Sequence, residues 1–249
     1  PGLRSPAEVR QLLKDRRLFI AKAFGLDVDW DALASVANVR GSAYVDGLVA
    51  RLTSRRPQLN AAQKRAIHDY TGPASAGLNS DAYRAAAGSG DYFRPSALTG
   101  LNSPSAALLR LCQEATQAAG ATVEPMVCYR NTGRTWWPSL MRDAAESGPG
   151  GLDSLIGKEL PWNPSVYSTT IARDVWDHTD TVLEMRIPVG YRGALWVDSV
   201  PGGPARYTAQ PQGREVEVIF GANTRFRVVK VYKEGRRTFI VCEPIDPLA

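Results

Sequence analysis

The sequence predicts an α+β fold in which helices come first and strands follow. In the first 120 residues, apolar side chains repeat at helical spacing, as in the Val45, Leu48 and Leu52 series. From Ala121 onward, short β-rich runs dominate, and Pro, Gly and Asn separate them. Because the helices and strands form separate blocks instead of alternating, this order favours an α+β fold over a parallel βαβ sheet.

The composition is that of an ordinary globular chain. Its 249 residues are 44% hydrophobic and 22% charged, which allows one large core or two small ones. No apolar run is long enough to cross a bilayer, and the first residues lack the apolar centre of a signal peptide. The net charge of +5 permits contact with phosphates or acidic partners without demanding it. The three cysteines lie far apart, which disfavours both a disulfide framework and a metal site.

Capping residues divide the helical half of the chain. Ser5 and Pro6 begin a first helix that ends at Gly25, and residues 27–31 open a second helical stretch, which carries the Val45 to Leu52 series and ends before Pro57. Further helices are predicted at about 60–70, 80–87 and 103–117. The composition changes at Pro57. We therefore expect a helical N-terminal extension over residues 1–56 and a larger main domain over residues 57–249.

Seven strands are predicted in the second half, at 122–129, 165–170, 181–187, 194–197, 215–220, 225–232 and 237–243. In the fifth, side chains alternate between faces, so Glu215 and Glu217 are expected to point the same way. A solvent-facing strand edge explains such a pair without any chemistry. Two neighbouring carboxylates can also act as a catalytic pair, in which one has a raised proton affinity and the other stays ionised. The ionised one can then stabilise a sugar cation.

Two other strands carry polar residues that are open to both kinds of explanation. Arg130 ends the first strand, where it is either a surface charge or a planar donor for a phosphate. The second strand contains three consecutive hydroxyls, Ser168, Thr169 and Thr170. Such a run is common at a sheet edge, but it can also hold a ribose or orient a carboxylate.

In this order, the arginine, the hydroxyl strand and the Glu-x-Glu strand resemble the mono-ADP-ribosyltransferases, in the Arg/Ser/Glu class of bacterial toxins and effectors. The segments 66–72 and 217–226 are also similar to the lead-in helix and catalytic strand of that family. The resemblance spans about residues 60–245 and implies a two-sheet, mainly antiparallel β core. Two positions depart from the family pattern, because Thr170 replaces its second serine and Asn131 follows Arg130 where glycine is frequent.

The resemblance implies that NAD is the substrate and that no metal is needed. Arg130 would bind a phosphate of NAD, with Tyr129 beside it. Thr169 and Thr170 would shape the floor on the nicotinamide side, and Trp176 would lie against the nicotinamide ring.

The same resemblance implies the catalytic residues. Ser168 would position Glu217, which would hold the ribose and stabilise the positive charge that develops as the nicotinamide bond breaks. Glu215 would orient or deprotonate an acceptor arginine. The 205–214 loop would face the acceptor through Tyr207, Gln210 and Arg214.

The leading hypothesis is therefore an enzyme that transfers ADP-ribose from NAD to an arginine of a target protein, with NAD hydrolysis as a side activity. It implies a secreted or delivered protein that acts in the cytosol of a target cell. The N-terminal extension would either pack against the main domain as an extra helical layer or dock to a delivery or immunity partner. The basic residues Arg51, Arg55 and Arg56 keep open a nucleic-acid acceptor. A third hypothesis is a structural module that has the fold without the activity.

Overall fold

A computed structural model describes residues 28–36, 42–72, 104–132, 151–160, 166–174, 180–202, 216–222 and 224–245. These residues contain four α-helices followed by seven strands, so the predicted α+β class is confirmed. The helices are α1 (Trp30–Val36), α2 (Ala43–Thr53), α3 (Ala61–Tyr70) and α4 (Pro104–Ala118). The helices predicted near residues 5–25 and 80–87 lie outside the described residues.

Local sequence signals explain where the central helices begin. The Ser42 side chain accepts a hydrogen bond from the Val45 amide and caps α2. A capping box joins Asn60 and Gln63 at the start of α3, where each side chain accepts from the other residue's backbone N–H. Helix α2 then buries the face of Val45, Leu48 and Leu52, as predicted, and α3 also buries one face.

The strands are β1 (Met126–Thr132), β2 (Tyr167–Thr170), β3 (Thr181–Ile187), β4 (Ala194–Trp196), β5 (Glu217–Phe220), β6 (Phe226–Glu234) and β7 (Arg237–Pro244). Each of the seven predicted strands overlaps one of them, so this part of the prediction is confirmed. Two short 3₁₀ helices, Gly151–Leu155 and Val197–Ser199, lie between strands.

The strands form one sheet in the order β4-β5-β2-β1-β3-β7-β6. Every neighbouring pair is antiparallel except β3 and β7, which are parallel. The expected division into two sheets is not confirmed. The β1–β2 junction, however, rests on a single registered pair, Tyr129 with Thr170, whereas β1 and β3 pair along seven residues. This narrow junction separates a three-stranded part from a four-stranded part.

Helices cover both faces of the sheet. Val218 packs in a cluster that includes Val45, Leu48 and Leu52 of α2. Its neighbour Ile219 points to the opposite face and packs with residues of α3 and α4. The division of the chain at residue 56 stays a prediction.

Helix α1 lies over β1 and is held by charges. Asp31 accepts hydrogen bonds from Arg186 at 2.7 Å and from Lys230 at 3.2 Å. These two cations, Lys230 first, lower the pKa of Asp31. Since no side chain of α1 is buried, these ion pairs, together with partial packing of Trp30 and Leu33, attach the helix to the sheet.

No described helix has both the length and the apolar character that a membrane span requires.

Candidate active site

Ser168 and Glu217 meet on neighbouring strands. In the β2–β5 ladder, Ser168 is opposite Ile219 and Thr170 is opposite Glu217. Ser168 and Glu217 therefore lie on a diagonal of the same sheet face, within reach of one another. The Ser168 hydroxyl donates a hydrogen bond to Oε1 of Glu217. Both side chains are partly exposed, so the carboxylate is oriented by the protein and remains accessible from outside.

Arg130 joins this pair from β1. Its Nη1 donates a 2.8 Å hydrogen bond to the backbone carbonyl oxygen of Ser168. Its guanidinium carbon lies 4.3 Å from the ring centroid of Tyr167, in a cation–π contact. The guanidinium is thus held from two sides by β2, and it is partly exposed. The structure therefore links the three residues on which the resemblance rests through β2: Ser168 bonds to Glu217 by its side chain, and Arg130 contacts the backbone of Ser168.

The two threonines of the hydroxyl strand bond to the backbone. The Thr169 hydroxyl donates to the Val218 carbonyl oxygen at 2.8 Å. The Thr170 hydroxyl accepts from the Ala172 amide at 3.2 Å. Both threonines are buried, at 5% and 4% exposure, and these bonds fix the path of β2 around Ser168. Their assignment to the nicotinamide side stays a prediction.

Tyr129 points into the protein. Its side chain is 1% exposed, and its hydroxyl donates to the Ala34 carbonyl oxygen at 3.3 Å. Burial, with a smaller contribution from nearby Glu184, raises its pKa. In this arrangement Tyr129 connects the sheet to α1, and its assignment to NAD binding stays a prediction.

Val216 has an unusual backbone conformation directly before Glu217. With φ at +46°, it is the one residue other than glycine with a positive φ among those described. A β-branched residue rarely adopts this region. Its carbonyl oxygen accepts a hydrogen bond from the Ile171 amide at 3.1 Å, and its side chain is buried. In the described residues β5 therefore begins at Glu217, and the predicted common orientation of Glu215 and Glu217 stays a prediction because Glu215 lies outside them.

Five predicted site residues lie outside the described residues, and their roles stay predictions: Trp176, Tyr207, Gln210, Arg214 and Glu215. Tyr167, whose ring supports Arg130, is a residue with no predicted role. The available signal was the position of this aromatic residue, directly before the three hydroxyl residues of the predicted strand.

The described part of the chain has no group of three or more His, Cys, Asp or Glu side chains placed to hold a metal ion. The polar groups of the candidate site are the Glu217 carboxylate, the Ser168 hydroxyl and the Arg130 guanidinium. Such a set can bind a phosphate through the guanidinium and stabilise a developing cation through the carboxylate.

No protein-family model matches this sequence, and no curated protein matches it. Solved structures do match. Plx2a, an ADP-ribosyltransferase toxin from Paenibacillus larvae, is similar at 17% identity with a TM-score of 0.55, over 82% of this chain and 94% of that one. C3stau2 from S. aureus, solved with NAD, is similar at 13% identity with a TM-score of 0.58, over 84% and 98%.

The ADP-ribosyltransferase Vis, solved with agmatine, is similar at 18% identity with a TM-score of 0.52, over 85% of this chain and 89% of that one. Structural matches at such low sequence identity show a shared fold, and the chemistry has to be argued from the side chains of the site. This chain has the fold of the bacterial ADP-ribosyltransferase toxins.

Proposed function

We propose that this protein is an ADP-ribosyltransferase that uses NAD as its substrate, cleaves the nicotinamide–ribose bond and transfers ADP-ribose to an arginine of a target protein. The observation that carries the proposal is the Ser168 hydroxyl bound to the Glu217 carboxylate, with Arg130 on the adjoining strand. The fold supports it, since one similar structure was solved with NAD.

Glu217 acts on the breaking bond. Cleavage of the nicotinamide–ribose bond leaves positive charge on the sugar, and a carboxylate close to it lowers the barrier. The Ser168 hydrogen bond holds the carboxylate in one orientation before the substrate arrives, so less reorganisation is needed in the transition state. Ser168 is therefore a positioning residue for Glu217.

Arg130 binds the dinucleotide. A guanidinium can donate two parallel hydrogen bonds to two phosphate oxygens, and its charge matches theirs. One of its nitrogens already donates to the Ser168 carbonyl, and the Tyr167 ring supports its flat face. These contacts couple phosphate binding to the strand that orients Glu217.

Glu215 serves the acceptor in this proposal. A free arginine guanidinium is protonated, and it becomes a nucleophile only as a base draws a proton away. A carboxylate two residues before Glu217 is suited to that task. The proposal of a guanidinium acceptor is supported by the similar Vis structure, which was solved with agmatine, a compound that ends in a guanidinium.

The biological setting is part of the proposal. A protein of this kind is made as a toxin or effector, is secreted or delivered, and acts in the cytosol of a target cell. The N-terminal extension over residues 1–56 is the segment we assign to a delivery or immunity partner. Tyr207, Gln210 and Arg214 remain our candidates for contact with the target protein.

The test uses radiolabelled NAD, a cell lysate and three proteins: wild type, Glu217→Ala and Glu114→Ala. Glu114 is an exposed carboxylate of α4 and controls for loss of charge alone. We expect wild type and Glu114→Ala to label a protease-sensitive product and to release nicotinamide. Glu217→Ala should lose about 100-fold or more of that rate, as for other removed groups that stabilise transition-state charge.

Three outcomes contradict the proposal in different ways. Equal labelling by wild type and Glu217→Ala removes Glu217 from the mechanism. Label that disappears with nuclease and survives protease moves the acceptor to RNA or DNA. Failure of the wild type to release nicotinamide with any acceptor favours a structural module without activity.

A further inference from the structure

A second candidate site lies away from Arg130, Ser168 and Glu217. It is a cavity of about 150 Å³ between the end of α2, the turn that follows α4, and strands β4 and β5. None of the three proposed active-site residues is among the described residues that line it. One of its walls contains Arg55 and Arg56, the basic residues for which the proposed reaction has no use.

The floor of this cavity is apolar. It is formed by the buried side chains of Leu52, Met126, Leu195, Trp196 and Val218, each no more than 9% exposed. An apolar cavity of this volume holds a single six-membered ring. The floor therefore suits a flat apolar group of about one ring.

Most polar side chains in the lining already bond to the protein. Trp196 Nε1 donates to the Thr53 hydroxyl at 3.0 Å, and the Ser199 hydroxyl donates to the Trp196 carbonyl oxygen at 2.6 Å. The Thr122 hydroxyl donates to the Pro188 carbonyl oxygen. Each of these donors is committed to a protein acceptor, so a ligand gains little from them.

The charges at the mouth are unbalanced. The carboxylate in the cavity lining, that of Glu124, lies 2.9 Å from the Arg51 guanidinium, whose positive charge compensates the negative one. Arg55 and Arg56 are exposed, and within the part of the chain that the structure describes neither guanidinium pairs with a carboxylate. The unused hydrogen-bonding capacity of the lining is therefore mainly cationic.

We infer that this cavity is a binding site for a small aromatic carboxylate, whose ring fills the apolar floor and whose anionic group faces Arg55 and Arg56. The apolar floor excludes a hydrated inorganic anion from the deeper part of the site. The two guanidiniums disfavour a cationic ligand of the same shape. The site is separate from the proposed reaction, although its floor includes Val218, the residue next to Glu217.

The test measures binding of benzoate to the full chain by NMR titration. We expect saturable shifts of backbone amides in the 119–124 turn, with a Kd of about 1 mM or tighter, within the range that a ligand of this size can reach. Benzamide has the same shape without the charge, benzylamine has the opposite charge, and acetate lacks the ring. Each of the three should bind at least about 10-fold more weakly.

Matched variants separate this site from general charge effects. Arg55→Ala combined with Arg56→Ala should weaken benzoate binding by about 10-fold or more, the size expected for lost charge-assisted hydrogen bonds. Lys233→Ala combined with Arg236→Ala removes the same charge from the exposed end of β6 and the turn after it, and should leave binding unchanged. Ala194→Leu reduces the cavity volume without altering charge and should also prevent binding.

Thermal unfolding of each variant checks that it is folded. If Ala194→Leu does not fold, the comparison of the Arg55/Arg56 double variant with the Lys233/Arg236 double variant still tests the inference. The inference is overturned if benzoate shows no saturable binding, if acetate binds as tightly as benzoate, or if both double variants weaken binding equally.

Discussion

The hydroxyl of Ser168 donates a hydrogen bond to the carboxylate of Glu217, a residue 49 positions later in the chain. This contact exists because β2 and β5 are neighbours in an antiparallel ladder that places the two residues on one diagonal. It is the smallest unit of the proposed active site that can be tested alone.

Ser168→Ala should lower the kcat of nicotinamide release by about 10- to 100-fold, because a hydrogen bond to a charged group is lost and Glu217 is less well oriented. The KM for NAD should change less, since Arg130 remains. Steady-state kinetics with varied NAD measures both constants. Ser168→Thr keeps a hydroxyl and should recover part of kcat; an unchanged kcat in Ser168→Ala would contradict the positioning role.

Arg130→Lys should raise the KM for NAD by about 10-fold or more, because an ammonium group cannot form the paired hydrogen bonds of a guanidinium. It also loses the flat contact with Tyr167. The KM for NAD and the thermal stability of the variant should be measured together. Arg236→Lys, in the exposed β6–β7 turn, is the control. A normal KM in Arg130→Lys would show that phosphate binding does not depend on the guanidinium.

The left-handed backbone conformation of Val216 predicts how glycine and alanine substitutions there affect stability. At an ordinary strand position, glycine is less stable than alanine by roughly 0.5–1 kcal/mol, whereas at a positive φ glycine avoids the strain imposed by a Cβ atom. Val216→Gly should therefore unfold at a denaturant concentration equal to or above that of Val216→Ala. At the neighbouring buried valine, Val218→Gly should be less stable than Val218→Ala. The same order at both positions would contradict the left-handed conformation.

The buried thiols of Cys112 and Cys128 predict that the protein becomes less stable at alkaline pH. Burial raises the pKa of Cys112 and of Cys128 from the ordinary 9.0 to about 12. In the unfolded chain these thiols lose their protons near pH 9, while in the folded protein they keep them until about pH 12. The unfolded state is thus favoured as pH rises, and the free energy of unfolding should fall between pH 9 and 12.

Denaturant titrations at several pH values measure this loss, and Cys128→Ala provides the comparison. The variant should show a shallower fall over the same pH range, because one of the titrating groups is gone; buried tyrosines supply part of the remaining slope. An equal slope in wild type and variant would mean that the Cys128 thiol does not titrate differently in the two states.

Features that depend on residues close in the sequence, such as helix faces and strand positions, were predictable. The α2 series of Val45, Leu48 and Leu52 indicated a helix, and that face is buried as expected. The position of each strand followed from short apolar runs between turn residues. Tyr129 shows the limit, because a strand residue looks the same in sequence whether it faces a ligand or, as here, packs beneath α1.

The sequence alone determined the class of fold, the order of helices and strands, and the presence of an arginine, a hydroxyl run and a glutamate in three separate strands. These properties are set by local periodicity and by residue chemistry. Only the tertiary structure decided that β2 lies between β5 and β1, that Ser168 reaches Glu217, and that Val216 turns left-handed before it. Strand neighbours are chosen by contacts between residues far apart in the chain, which no local pattern encodes.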